Sequence, residues 1–78
     1  QDIETIVEAT SPRIRTGGVA AFDVEEDGEA LVVLVEVRKP ADLPDAAAIA
    51  RAIRTQYYVE PHTIAFVPAR TISRTLVP

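Results

Sequence analysis

The sequence predicts an α+β fold: a small three-stranded mixed sheet packed with two helices, in the order α-β-β-α-β, ending in an exposed loop. Three observations predict it. Ala30 to Arg38 (ALVVLVEVR) is the longest run of β-forming residues in the chain. An Asp27-Gly28 turn signal joins it to a second β-rich run just before it. A stretch of helical periodicity then separates it from a third β-rich run, an arrangement that implies a right-handed crossover and parallel pairing.

Within the central run, Leu31, Val33, Val35 and Val37 fall on one face of a strand, and Val32, Leu34, Glu36 and Arg38 on the other. The first half is apolar on both faces and the second half turns polar on one. The pattern predicts a central strand covered on both sides near its start and exposed on one side near its end.

Taken in order, Asp2 to Thr10 reads as a short helix with Ile3, Ile6, Val7 and Thr10 on one face. Asp2 and Glu4 in its first turn complement the positive helix end. Ser11-Pro12 stops it, because the residue before a proline is pushed out of the α region. Gly17-Gly18 supplies backbone freedom at the turn into the sheet; it lacks the spacing of a phosphate-cradling loop. Val19 to Val24 reads as a strand with Ala20, Phe22 and Val24 on one face, and Glu25 to Glu29 as a solvated hairpin tip. The acidic residues there lack the alternating ligands of a calcium loop.

After the central strand, Asp42 is a candidate N-cap, with Pro44 in the first turn and Asp45 at the third helical position. The helix is predicted to run to about Tyr58, with Ala46, Ile49, Ala50, Ile53 and Tyr57 on the buried face. Of Tyr57 and Tyr58, one is expected in the core and the other exposed beside it. Glu60-Pro61 ends the helix, and His62 to Val67 forms the third strand with Ile64 and Phe66 on one side. His62 is the chain's one histidine and has no sequence partner for acid–base or metal work. Pro68 to Pro78 reads as an exposed, hydroxyl-bearing loop carrying Arg70 and Arg74.

Composition narrows the function. The 78 residues allow one domain with a modest core, and a 47% apolar fraction excludes generic disorder. With no cysteine there is no disulfide, thiolate metal site or Cys nucleophile. A net charge of −4 argues against nucleic-acid binding. No apolar run reaches the roughly 20 residues of a membrane span. The residues alone therefore reach a soluble α+β domain, cytoplasmic by default and part of something larger.

A more specific reading comes from resemblance. The opening Gln1-Asp2-Ile3-Glu4, Ser11-Pro12, Gly17-Gly18-Val19-Ala20-Ala21-Phe22, and Gly28-Glu29 followed by Leu31-Val32-Val33-Leu34-Val35-Glu36-Val37 carry it, with Pro61-His62 and Thr71-Ile72-Ser73-Arg74-Thr75. In this order and spacing they resemble the C-terminal subdomain of adenylate-forming enzymes of the acyl-CoA synthetase-like superfamily, specifically fatty acyl-AMP ligases. The acyl-AMP ligase assignment rests on the Gln-Asp-Ile-Glu opening and the Glu-Val-Arg strand end. Ser73 stands where the family usually has proline, and Leu76-Val77-Pro78 where it has Ser-Ser-Gly.

The resemblance implies that residues 1–78 are one mobile subdomain, truncated at both ends, of a parent that activates fatty acids with ATP and magnesium. The acyl-adenylate would pass to an acyl carrier protein or polyketide synthase in lipid or polyketide biosynthesis, coenzyme A being the other possible acceptor. The subdomain's immediate partner would be the N-terminal ATP-binding domain of the same enzyme, over which it swings. The family's catalytic lysine would lie beyond Pro78, so the fragment alone is expected to be monomeric, without cofactor or metal, and not catalytic. Thr71, Ser73, Arg74 and Thr75 are the implied nucleotide-proximal residues, and Gln1 and Asp2 lie next to the implied hinge. The alternative is a free-standing α+β regulatory or protein-interaction module without enzymatic activity. A carrier protein is the other candidate of this size and acidity, but two hydrophobic strands around Asp-Gly contradict its helical fold.

Overall fold

A computed structural model of the chain describes residues 2–25, 29–39 and 41–72. Its elements run α1 (Ile3–Glu8), β1 (Val19–Glu25), β2 (Glu29–Val37), α2 (Ala46–Tyr57) and β3 (Pro61–Pro68), the predicted order. The sheet order is β1-β2-β3, so the valine-rich strand is central. β1 pairs with it antiparallel, from Val19↔Val35 to Glu25↔Glu29. β3 pairs parallel, from Leu31↔Pro61 to Val37↔Pro68, with one register shift between Leu31 and Val32. Of the predicted hairpin tip, Glu25 to Glu29, the two end residues belong to the strands and pair with each other, and residues 26–28 lie outside the described residues.

One face of the sheet carries both helices. Val7 of α1 and Ile49 and Ile53 of α2 pack with Ile14, Val19, Leu31, Val33 and Val35, and Ala21, Ile64 and Phe66 border that cluster. The strand period explains this selection, because Val19 and Ala21 sit opposite Val35 and Val33 and so share their face. The face with Ala20, Phe22 and Val24 is therefore the one turned away from the helices, and Phe22 is 40% exposed.

α1 is shorter than its pattern predicts. Asp2 is its N-cap and accepts the Thr5 N–H at 2.7 Å, while the helix ends at Glu8 with Ala9 as C-cap. Thr10 leaves the helix because its hydroxyl donates to the Val7 carbonyl, a local bond that competes with helix continuation. The Thr5 N–H, with the Thr5 side chain adding to it, holds the Asp2 carboxyl below its ordinary value of 3.8. A depressed folded-state pKa stabilises the fold above the unfolded value and ceases to do so as pH falls through the folded one. The advantage of the native chain over an Asp2→Asn variant is therefore expected to shrink from the ordinary value of 3.8 downward and to be gone once the pH lies below the lowered folded-state value. Thermal melts of the two proteins from pH 7 downward measure it, and a gap that persists in acid would refute it.

The start of α2 also differs from expectation. Asp45, not Asp42, is the N-cap, and its Oδ1 accepts from Ala47 N at 2.9 Å and Ala48 N at 3.4 Å. The reason is Pro44. A cap at Asp42 would need Leu43 in the α region, which the following proline disfavours. Ile49 and Ile53 are fully buried as predicted, but Ala46 is exposed. Neither tyrosine enters the core, Tyr57 being 42% and Tyr58 87% exposed. Tyr58 instead closes the helix in the left-handed region at φ 62, its N–H donating to the Arg54 carbonyl.

The connection from α1 to β1 depends on its two glycines for different reasons. Gly17 has φ +83, and an added Cβ there would meet nothing within 4 Å. Gly17→Ala should thus cost only the backbone strain of a left-handed L-residue, about 1–2 kcal/mol. Urea denaturation reads this directly, and Gly17→Asn should cost less because Asn tolerates that region. Gly18 is instead packed, since its Cβ would lie 3.0 Å from the Arg15 Cγ and 3.2 Å from the Arg15 carbonyl oxygen.

Candidate functional site

Where β3 ends, the chain folds back over the helix-free face of the sheet. Pro68 closes the strand and Ala69-Arg70 turns, with Arg70 in the left-handed region at φ 71. The Thr71 hydroxyl donates to the Pro68 carbonyl, which tightens the turn. The Ile72 N–H then donates to Glu36 Oε2 at 2.8 Å in a buried bond spanning 36 residues of sequence. Ile72 itself is 9% exposed. The predicted exposed loop is thus, in residues 68–72, a structured return anchored on the central strand.

Glu36 overturns the expectation that β2 is open at its end. It is 2% exposed, the buried charged residue among those described. Strand alternation puts it on the face away from the helices, beside Leu34 and opposite Gly18, whose carbonyl accepts its N–H at 2.8 Å. Gly18 on one side and Ile72 on the other cover it. Its Oε1 is buried and lacks a hydrogen-bond partner among the described residues. An acceptor left unsatisfied in this way is costly, so the single bond to Ile72 carries the site's polar satisfaction.

Beside this turn a cavity of about 400 Å³ is lined by Val37, Arg38, Leu43, Phe66, Val67, Pro68 and Ala69. It lies at the carboxyl ends of the two parallel strands, where open α/β sheets place ligands. Its walls are mostly apolar, and Leu43 is 44% exposed within it.

Asp2 lies elsewhere. Ile3 lines a hollow with Asp23, Leu31 and Glu60, at the beginning of β2, whereas Ile72 bonds to Glu36 near its end. From Leu31 to Glu36 is about 16 Å at ~3.3 Å per residue. Ile3 and Ile72 are therefore held toward opposite ends of the central strand. Of the residues singled out from sequence, Asp2 and Thr71 are described; Gln1, Ser73, Arg74 and Thr75 lie outside the described residues. His62 is exposed, with its Nδ1 2.9 Å from the Thr63 hydroxyl. Among the described residues, no three His, Cys, Asp or Glu side chains come together to hold a metal ion, and no helix is long and apolar enough to cross a membrane.

Sequence reasoning missed Glu36 as an anchor. The available signal was a carboxylate inside a run of β-branched residues, which a surface reading explained equally well. Only the return of the chain after Pro68 distinguishes the two.

No family model matches this chain, and no curated protein matches it. A solved structure does. The amide bond synthetase McbA from Marinactinospora thermotolerans is similar at 25% identity with a TM-score of 0.69, over 86% of this chain. The chain spans 14% of the length of that protein. The likeness supports the adenylate-forming superfamily, and it does not reach the fatty acyl-AMP ligases within it.

Proposed function

We propose that this chain is the C-terminal, mobile subdomain of an ATP-dependent adenylate-forming ligase of the fatty acyl-AMP ligase type. The observation that carries the reading is the likeness to a small part of a much larger synthetase, since it spans 86% of this chain and only 14% of the other. The family-like segments from Gln1 to Thr75 add to it. Neither observation extends to the acyl chain or the acceptor, which belong to the proposal.

On this reading the chain's own contribution is mechanical. β2 holds the α1 end and the Thr71–Ile72 end in fixed relation, so rotation at one end carries the residues after Ile72 over a distant nucleotide. Those residues, Ser73, Arg74 and Thr75, would approach ATP, and the lysine expected after Pro78 would stabilise charge developing at the α-phosphate. Magnesium would be held with ATP by the N-terminal domain of the parent. A second orientation would admit the acceptor. We place a phosphopantetheine-bearing carrier protein there; an amine is the second acceptor, because the similar solved structure is an amide bond synthetase.

ATP–pyrophosphate exchange tests the reading. The 78-residue chain alone should show none, and the parent polypeptide should show exchange that depends on fatty acid. Exchange by the isolated chain would overturn the proposal, as would a parent reading frame that opens at Gln1. Product analysis with a carrier protein and with an amine then separates the two acceptors.

A further inference from the structure

Four cations gather at one corner of a chain whose net charge is −4. Arg13, Arg15, Arg38 and Lys39, with Pro12 and Asp42, line a cavity of about 390 Å³. Two separate segments build it. Arg13 and Arg15 are exposed on either side of buried Ile14, which anchors the connection in the core. That connection is held by Ile14 N–H to the Ser11 carbonyl, Gly18 N–H to the Arg15 carbonyl, and Glu36 N–H to the Gly18 carbonyl. The last of these bonds brings it against the end of β2, from which Arg38 and Lys39 emerge.

The acidic groups nearby are already engaged or turned aside. Asp42 Oδ1 accepts from Arg13 Nε at 2.9 Å. Glu36 lies buried beneath Gly18 with its Oε2 committed to Ile72. Arg15, Arg38 and Lys39 form no ion pair among the described residues. Three cations without an ion pair of their own thus converge on one concave space, and two of them are guanidinium forks suited to paired oxygens. The concavity favours a compact anion over an extended acidic surface, and the negative chain as a whole disfavours a polynucleotide.

We propose that this cavity is a binding site for a compact phosphate-bearing anion, either a diphosphate or a phosphate monoester. The inference does not rest on the adenylate-forming reading. Arg38 also borders the apolar cavity that contains Leu43 and Phe66. The phosphate of a monoester could therefore sit among the cations while its organic part extends across Arg38 onto apolar wall.

The test is a titration of the isotope-labelled chain, followed by amide NMR at constant ionic strength, with pyrophosphate, inorganic phosphate and octyl phosphate. Saturable shifts confined to residues 13–18 and 38–42 are expected. Tighter binding of octyl phosphate assigns the site to a monoester, and tighter binding of pyrophosphate assigns it to a diphosphate. The double variant Arg15→Gln, Arg38→Gln should bind at least about tenfold more weakly, each lost charge-assisted contact being strong. Its melting temperature should stay unchanged because both side chains are exposed. Arg51→Gln, on the exposed side of α2, should bind normally. Equal shifts with chloride, shifts spread over the surface, or equal weakening by Arg51→Gln would each overturn the proposal.

Discussion

Glu36→Ala is expected to release the turn after β3. It removes the acceptor that the buried Ile72 N–H uses at 2.8 Å. The lost bond and the space left behind should lower overall stability by about 1–3 kcal/mol, as for other buried polar groups deprived of a partner. Hydrogen exchange should show more than the melt does. The Ile72 amide should exchange roughly ten- to a hundredfold faster, while the Val33 and Val35 amides follow only the global loss. Glu36→Gln is the discriminating control. It keeps an oxygen for Ile72 and removes the charge of an acid whose other oxygen is orphaned, so Ile72 protection should survive and stability should hold or rise. If Glu36→Gln loosened Ile72 as much as Glu36→Ala, the anchor would be the charge and not the hydrogen bond. In the parent enzyme proposed above, Glu36→Ala should slow ATP–pyrophosphate exchange and Glu36→Gln should preserve it, because Ile72 leads directly into the residues proposed to reach the nucleotide.

Ile53→Ala should be among the most damaging single changes in the core. Ile53 is fully buried where α2 meets Val33 and Val35. Deleting its branched side chain costs the transfer of the lost groups plus the cavity they leave, about 3–4 kcal/mol. The better helix propensity of alanine returns only ~0.4 kcal/mol. A domain of this length has on the order of 4–12 kcal/mol in total, at ~0.05–0.15 per residue. The variant should therefore show a much lower urea midpoint, and Ile53→Val should lose only about 1 kcal/mol. A loss below that for Ile53→Ala would mean that α2 does not contribute to the core as its position indicates.

The fold was legible in the sequence because each element carried its own period. Leu31, Val33, Val35 and Val37 alternate, Ile49 and Ile53 recur at helical spacing, and a helix between two β-rich runs leaves parallel pairing as the simple connection. The errors came where two local signals competed. Asp42 and Asp45 both qualify as caps, and only the effect of Pro44 on Leu43 separates them. Thr10 fits the helical face, but its hydroxyl can bond to Val7 instead. Tyr57 and Tyr58 follow the apolar pattern to the helix end, where both stay exposed, Tyr57 at the rim of a hollow with Ala21 and Leu31.

By itself, the sequence determined the number, kind and order of the elements, the central place of the Leu31–Val37 strand, and the alternation that sorts its side chains onto two faces. These follow from backbone sterics and hydrophobic period, which act over a few residues. Tertiary structure alone decided that Glu36 is buried, that Ile72 docks on it, and that Arg13 and Arg15 meet Arg38 and Lys39 around one cavity. Each depends on segments tens of residues apart, brought together by the Gly18–Glu36 pairing and by the return of the chain after Pro68. No local pattern encodes that meeting, because a carboxylate or an arginine reads the same in sequence whether water or another strand lies above it.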